Sequence, residues 1–333
     1  MAFGVSRIFK STDVSAPQFG LTSGAFKNML KAVLATGYGT IESLGWTIEY
    51  EVGNVIVFRM KGGTRRYLRL DDNTISTEYA TGFSAFSTMN SINTGTERIP
   101  AIGISSASFR KRVGGTANVP WMIIGDDAGF ILLTKPRYVS SSTDISQNLW
   151  NVTYFGDYIP ADAKNKWNFC LISTYSSTGI HKHAQSTSIS HLVQRDQSFK
   201  IGASYCGISS FVNGANYFGQ WLSVSGNLGV SSGMVGGAFL TTPVIVYKDL
   251  IGTTANSCTS LLGFLPGMRD PVMSDGGSGA YITIDSIVPV TITDDDGYSM
   301  LLYIDSISSA SQPTYGETAS KLVFRIGKGF RNV

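Results

Sequence analysis

The sequence predicts a mainly β protein, with sandwich- or barrel-like sheets and one amphipathic helix near the N-terminus. After residue 45 the chain breaks into short alternating or apolar runs separated by Gly-rich turns, which is typical of sandwiches and barrels. Charged residues make up 15% of the chain and Gly accounts for 37 of 333 residues. Soluble domains average roughly 25% charged residues and ~7% Gly, so this chain has fewer charges and more Gly than an average domain. Since no fixed-period repeat is present, a solenoid or propeller is not expected.

The helix is predicted over about residues 22–36. Its apolar residues follow the spacing i, i+3, i+4, i+7, i+8, which forms one stripe along a helix. The stripe consists of Phe26, Met29, Leu30, Val33 and Leu34. Thr22 or Ser23 is predicted to accept hydrogen bonds from the first free amides, and Gly37 to end the helix in the left-handed conformation.

A meander of three strands is predicted directly after the helix, where the apolar pattern becomes alternating. Gly53–Asn54 and Gly62–Gly63 indicate the two turns. The predicted strands are 46–50, 55–59 and 65–70.

Further strands are predicted downstream. A hairpin is expected around the turn 126–129, and a loop with Pro160 and Asp162 separates the next two strands. These four strands are 121–124, 130–134, 153–155 and 167–172. The C-terminal strands are 281–285, 289–293, 298–305 and 321–326.

The chain is divided into four predicted regions. Residues 1–20 lack any period and are interpreted as an N-terminal arm, and residues 21–172 as a domain of the helix plus the β-meander. Residues 173–262 form a Gly/Ser-rich β/loop region or insertion, in which 226–237 could extend over a neighbouring subunit. Residues 263–333 form a C-terminal β segment, for which packing on the first domain is one arrangement.

Several short segments, in order along the chain, resemble a group of virion structural proteins of tailed bacteriophages. The segments are Gly37–Gly39, Gly45–Thr47, Tyr67–Asp72, Asn93–Thr96 with Pro100, Pro120–Asp126 with Phe130, Tyr154–Asp157 with Pro160–Ala163, and Gly263–Gly267. They cover about two thirds of the sequence in order, whereas residues 173–260 contain none. The resemblance implies a non-enzymatic component of the particle.

This resemblance leads to an expected position in the virion, with assembly in the host bacterial cytoplasm. The expected form is a homo-oligomeric ring in the neck, collar or head-to-tail region. Closed rings of this kind arise from head-to-tail contacts between subunits, repeated around an axis. Expected partners are further copies of the chain, portal, adaptor or tail proteins, and passing DNA through non-specific contact. Candidate interface anchors are Trp150, Tyr217 and Trp221, because Trp and Tyr dominate interface hot spots, although a core position is equally expected for each.

Net charge and cysteine usage exclude several classes of protein. The net charge of +3 is too small to indicate a dedicated nucleic-acid-binding domain. The basic clusters 61–66 and 110–112 are interpreted as solvated loops, and they are the segments to suspect if the chain lines a DNA channel. Three distant cysteines argue against a disulfide framework or a zinc site and fit a reducing cytoplasm.

No targeting or membrane segment is expected from the sequence. The N-terminus lacks a basic segment followed by a long apolar stretch, so a secretory signal is not predicted. The longest apolar run, residues 243–247, is far shorter than the ~20 residues that cross a bilayer. The prediction is a soluble protein without membrane contact.

Three motifs offer weak hints of chemistry. Ser231 lies in a GxSxG string, but the flanking Gly and Ser residues do not predict the strand and helix that expose a nucleophile. His181, His183 and His191 could bind zinc, yet polar neighbours favour an exposed loop. The run 294–297 echoes a calcium loop, but lacks the closing Glu and favours a hairpin turn.

Pairs of carboxylates end two of the predicted strands. Asp71–Asp72 and Asp126–Asp127 are interpreted as turn formers, although glycosidase carboxylates could lie at such positions. No catalytic, cofactor-binding or metal-binding residue is assigned, and no enzymatic activity is expected. Two alternatives stay open: a baseplate or tail-fibre-anchoring protein, and a receptor- or glycan-binding module with an aromatic-lined pocket.

Overall fold

The structure is a computed structural model of the chain. It describes residues 5–18, 20, 22–73, 81–96, 98, 107–109, 118–134, 151–161, 169–172, 192–193, 205–210, 238–239, 241–249, 258–271, 291–294, 299–304 and 321–332. Within these ranges the protein is mainly β, with one short helix near the N-terminus. The predicted fold class is therefore confirmed.

The N-terminal half contains the helix and the first strands. Helix α1 spans Ala25–Lys31 and continues as a π-helical turn over Ala32–Thr36. The strands up to residue 109 are β1 Arg7–Lys10, β2 Thr47–Val52, β3 Val55–Arg59, β4 Tyr67–Asp71, β5 Thr81–Phe86, β6 Thr88–Met89, β7 Gly95–Thr96 and β8 Ala107–Phe109. The strands between residues 121 and 172 are β9 Trp121–Asp126, β10 Gly129–Thr134, β11 Asn151–Asp157, β12 Ile159–Pro160 and β13 Phe169–Ile172.

The C-terminal half is described mostly as strands. They are β14 Leu192–Val193, β15 Tyr205–Ser210, β16 Ala238–Phe239, β17 Thr241–Asp249, β18 Cys258–Pro271, β19 Thr291–Asp294, β20 Ser299–Ile304 and β21 Lys321–Arg325. A 3₁₀ turn over Gly327–Gly329 follows β21.

The strands form three larger sheets and one small hairpin. The meander sheet has the order β2-β3-β4-β5-β8, and the hairpin sheet has the order β1-β9-β10-β11-β13. The C-terminal sheet has the order β14-β15-β17-β18-β21-β20-β19-β16, with β12 paired to β18. Strands β6 and β7 pair with each other. Among the described residues, all strand pairings are antiparallel except that of β16 with β19.

One apolar core joins the helix, the meander sheet and the hairpin sheet. Helix α1 and the π-helical turn that continues it contribute the predicted stripe, all of which is fully buried. Because side chains alternate along a strand, Ile56 and Phe58 of β3 face this core, and Trp121 and Ile123 of β9 enter it too. The edge-on contact of Phe26 with Phe83, at 5.8 Å between ring centroids, ties the helix to the meander sheet.

Most predicted strands that fall on described residues are confirmed. The meander strands and the 121–134 hairpin begin and end within two residues of their predicted limits. Strands β11, β13, β19, β20 and β21 match the later predictions. The predicted strand 281–285 and the flexible stretch 226–237 lie outside the described residues.

The predicted cap of the helix is wrong, and the actual cap comes from a distant strand end. The residue before the helix is Gly24, with φ of +82° and no side-chain cap. Asp72 Oδ2 accepts a hydrogen bond from Lys27 N (3.0 Å), and Ser23 Oγ instead donates to the Asp72 carbonyl oxygen (2.7 Å). The capping carboxylate thus belongs to the meander sheet, which fixes the helix against that sheet.

The C-terminal end of the helix follows its prediction only in part. Gly37 has a positive φ of +78°, as expected, but its ψ of 175° is extended rather than left-handed. An added Cβ on Gly37 would lie 2.6 Å from the Ile41 carbonyl oxygen, so only Gly fits here.

Part of the predicted N-terminal arm belongs to a sheet. Strand β1 pairs with β9 over four residues, and Phe9 is fully buried in the core. The division of the whole chain into four regions stays a prediction.

Replacing Asp72 with Ala should destabilise the protein by about 1–2 kcal/mol, because the buried amide of Lys27 loses its acceptor. The adjacent Asp71→Ala variant is the matched control, since it removes a half-buried carboxylate that contacts Arg69 at 3.3 Å. Urea unfolding of both variants measures the difference. Equal losses for both variants would show that Asp72 does not act as the cap.

The pair of lysines beside Glu51 should make stability depend on pH. Lys31 Nζ and Lys27 Nζ donate to the Glu51 carboxylate at 2.6 and 2.9 Å, and these hydrogen bonds lower the Glu51 pKa. The stabilisation is therefore present above the unfolded pKa of about 4.3 and is lost as pH falls through the lower folded pKa.

Glu51→Gln should consequently lower the free energy of unfolding at pH 7, and this deficit should disappear in acid. Urea titrations across the acid range measure it, with Glu49→Gln, exposed on the same strand, as the control. A deficit that persists unchanged in acid would contradict the ion-pair explanation.

Candidate functional site

A buried polar cluster lies where the hairpin sheet meets the end of the chain. It contains Asp126 at the end of β9, Asp157 at the end of β11, and Arg331 after the last 3₁₀ turn. Residue Gly129 of β10 pairs with both Asp126 and Gly156, so the register brings the two carboxylates to the same end of the sheet. Both aspartates are at most 2% exposed.

Arg331 and Asp126 form a two-pronged ion pair. Arg331 Nη2 donates to Asp126 Oδ1 at 2.8 Å, and Arg331 Nε donates to Asp126 Oδ2. The same Oδ1 also accepts from Ala128 N (2.9 Å), and Arg331 Nη1 donates to the Asp157 carbonyl oxygen (2.9 Å). Paired N–H donors that match both carboxylate oxygens are the strongest form of this interaction.

Asp157 holds the turn between β3 and β4. Thr64 N donates to Asp157 Oδ2 and Thr64 Oγ1 donates to Asp157 Oδ1, each at 2.6 Å. Tyr154 Oη donates to the Asp157 carbonyl oxygen, and Asp157 N donates to Ala128 O. The cluster therefore links the meander sheet, the hairpin sheet and the C-terminal segment.

Burial and neighbouring charges have opposite effects on the pKa values of Asp157 and Arg331 in this cluster. Burial raises the pKa of Asp157, although the hydrogen bonds from Thr64 and the positive charges of Arg331 and Arg66 oppose that rise. Burial is the largest influence on Arg331 and by itself would lower its pKa. The hydrogen bonds with Asp126, together with the attraction of Tyr154, Asp126 and Asp157, outweigh burial, so the pKa lies above its ordinary value. Arg331 consequently stays charged.

The arrangement favours a structural role for these carboxylates. Each carboxylate oxygen of Asp126 and Asp157 accepts at least one hydrogen bond from the protein itself. A general acid or base has to reach a proton on the substrate within hydrogen-bonding distance. Because these oxygens are buried and already engaged, the cluster holds chain segments together rather than presenting an acid–base pair.

The two aspartates of the other predicted pair, Asp71 and Asp72, have different partners. Asp71 contacts Arg69 (3.3 Å) and accepts from Asn73 Nδ2 (2.8 Å), while Asp72 caps the helix. The interpretation as turn formers is confirmed for Asp126 and Asp71, whose Oδ1 atoms accept from the backbone amides two residues further on. It is wrong for Asp72, whose carboxylate accepts from the distant amide of Lys27, and Asp126 also binds the distant Arg331.

One residue of the basic cluster 61–66 contradicts its prediction as a solvated loop. Arg66 is only 4% exposed, whereas Lys61 and Arg65 are exposed. The hydrogen bond from Met60 N to Arg66 O continues the β3–β4 ladder, so Arg66 shares the inner side with the buried Met60. Its positive charge there acts on Asp157.

Many predicted candidates lie outside the part of the chain that the structure describes. They are Ser231, His181, His183, His191, Trp150, Tyr217, Trp221, residues 110–112 and residues 295–297. Asp294 ends β19, which pairs with β20 as the predicted hairpin requires. The three cysteines fall on strands β13, β15 and β18. Among the described residues, no group of three or more His, Cys, Asp or Glu could hold a metal ion.

Sequence reasoning did not single out Asp157 and Arg331 as partners. Arg331 lies 205 residues from Asp126, and no local pattern marks it as the ligand of a buried carboxylate. The Gly62–Gly63 pair offered a partial signal, since an added Cβ on Gly63 would clash with Asp157 Oδ2.

Comparison with models of known protein families finds no match for this chain, and a search of curated proteins finds no significant relative. In the described part of the chain, no helix has the length and apolar character needed to cross a membrane.

Removing the arginine of the ion pair should cost about 3–5 kcal/mol, because Arg331→Met leaves Asp126 charged and buried. The double variant Arg331→Met/Asp126→Asn should recover much of this loss, since neither charge remains. Arg7→Met is the control, because its pair with Glu42 is solvent-exposed and worth less than about 1 kcal/mol. Urea unfolding of the four proteins measures these differences; a single-variant loss no larger than that of the control would contradict the structural role.

Proposed function

We propose that this protein is a structural component of a tailed-bacteriophage virion, acting as a multi-copy ring in the neck, collar or head-to-tail region. The observation that carries the proposal is where the structure places the phage-like segments. Those segments are scattered through the chain, yet several of them supply the central packing contacts of one core. Segments that define a framework are what a family of structural proteins is expected to share.

The packing of Trp46 and Tyr38 illustrates this placement. The Trp46 ring contacts Phe130 and Phe155, with centroids 5.7 and 5.8 Å apart, and Trp46 Nε1 donates to Asp126 O. Tyr38 packs edge-on against Trp121, at 6.5 Å between centroids. Four phage-like segments therefore meet through their aromatic side chains.

The presence of glycine in these segments is also explained by the backbone conformation. Gly45 has φ of +80° directly before Trp46, and Gly156 has φ of +141° beside Gly129. Gly267, with φ of +70°, lies against the ring of Phe330 near the end of the chain. Such backbone conformations strongly favour Gly, so the motif glycines serve the fold.

A structural role also agrees with how the protein uses its polar groups. Three aspartates of the phage-like segments, Asp72, Asp157 and Asp126, hold the helix, the β3–β4 turn and the C-terminal end in place. The low charge of the chain suits a surface that is partly covered by neighbouring subunits, because obligate interfaces are more apolar than free surfaces.

Two measurements test the proposal together. Native mass spectrometry of the purified chain should give a closed multiple of the 35.8 kDa subunit mass. Cryo-electron microscopy of virions, compared with particles assembled without this gene, should show the missing density as a ring between head and tail. A monomer in solution with no density lost from the virion would contradict the proposal. A ring lost from the baseplate instead would refute the neck position.

A further inference from the structure

The turn between β3 and β4 carries three cations on the outer side of the meander sheet. The β3–β4 pair Arg59–Tyr67 is followed by the hydrogen bond from Met60 N to Arg66 O, so the hairpin continues to the turn. Met60 and Arg66 are buried, whereas Lys61 and Arg65 on the alternate positions are exposed. We call Arg59, Lys61 and Arg65 the cationic turn.

The charges of the cationic turn are not neutralised within the described residues. In this part of the chain, ion pairs form at Arg7, Lys27, Lys31, Arg69 and Arg331, and none of them includes a residue of the cationic turn. Among the acidic residues of the neighbouring strands, Glu51 is held by two lysines and Asp71 contacts Arg69. Exposed Glu49 and the Asp127 carboxylate, which lies beside Gly62, are the remaining negative charges near the turn. The three positive charges of the cationic turn outnumber these two.

The cationic turn is also held in one shape. Asp157 accepts two hydrogen bonds from Thr64, and Asp127 O accepts from Gly62 N (2.9 Å). Arg65 has φ of +55°, a conformation that non-Gly residues rarely adopt and that persists only where the surroundings enforce it. A preformed site loses less conformational entropy on binding.

The aromatic ring beside the turn positions one of the cations. The Arg59 guanidinium lies over the Tyr67 ring at 5.4 Å from its centroid. Such a contact orients the guanidinium while leaving its N–H donors available to an anion. Lys61 packs along Gly45, where an added Cβ would lie 3.4 Å from its Cδ.

We propose that the cationic turn binds phosphates of the duplex DNA backbone, without reading base sequence. Arginine and lysine are the side chains that contact phosphate oxygens, and such contacts carry no sequence information. The choice of DNA among polyanions rests on the proposed function, which puts the chain where DNA passes between head and tail. Three contacts give weak binding that salt disrupts, and DNA can slide past such a surface.

The test compares two double variants that remove the same charge. Lys61→Gln/Arg65→Asn neutralises the turn, with Asn chosen because it tolerates positive φ. Lys10→Gln/Lys328→Gln is the matched control on other elements, at β1 and the last 3₁₀ turn. Fluorescence anisotropy with short DNA duplexes of two unrelated sequences measures affinity over about 50–200 mM salt.

For the cationic-turn variant, the slope of log affinity against log salt should become shallower by about 2 on both duplexes. The affinity lost between about 50 and 200 mM salt should then shrink about tenfold relative to wild type. The control should keep the wild-type slope. An unchanged slope for the turn variant, an equal change in the control, or binding to heparin without binding to duplex DNA would overturn the inference.

The two proposals fail separately. A chain found in the virion neck whose DNA binding ignores the turn variant would overturn the inference and leave the proposed function standing. Turn-dependent DNA binding by a chain absent from the virion would support the phosphate-binding surface and overturn the proposed function.

Discussion

The ion pair between Asp126 and Arg331 is the interaction on which the described architecture depends most. Burying two charges is costly unless further hydrogen bonds satisfy them, and here Ala128 N and the Asp157 carbonyl supply those bonds. The carbonyl of Asp126 accepts from Trp46 Nε1 as well. One residue at a strand end therefore connects the last residues of the chain to the aromatic core of the first sheets.

Local patterns predicted the elements, whereas long-range partners decided how the elements are joined. The alternation of Val55 to Arg59 and the period of the helix are properties of neighbouring residues, so both were readable in advance. The cap of the helix is the carboxylate of Asp72, which accepts a hydrogen bond from the amide of Lys27, 45 residues earlier in the chain. The sequence offered Ser23 as a local cap, but its hydroxyl donates to the carbonyl oxygen of Asp72 instead.

Arg66 shows the same limit within a single turn. The run of cations predicted a solvated loop, and charge alone could not tell which of two adjacent arginines points inward. The ladder decides it, because Arg66 shares its side of the hairpin with Met60 and lies beside the Asp157 charge. Because side chains alternate along the two strands of the hairpin, Lys61 and Arg65 point outward. The buried carboxylate of Asp157 therefore supports both an internal link and an exposed cationic surface.

The central claim is that Asp157, Asp126 and Arg331 join three segments into one cooperative unit. Residue-resolved hydrogen exchange tests it most directly, through the amide of Thr64, which donates to Asp157 from an otherwise irregular turn. We predict that this amide exchanges only through global unfolding, with the same opening free energy as the core strand amide of Ile123. Fast exchange at Thr64 through local opening, while Ile123 stays protected, would contradict it.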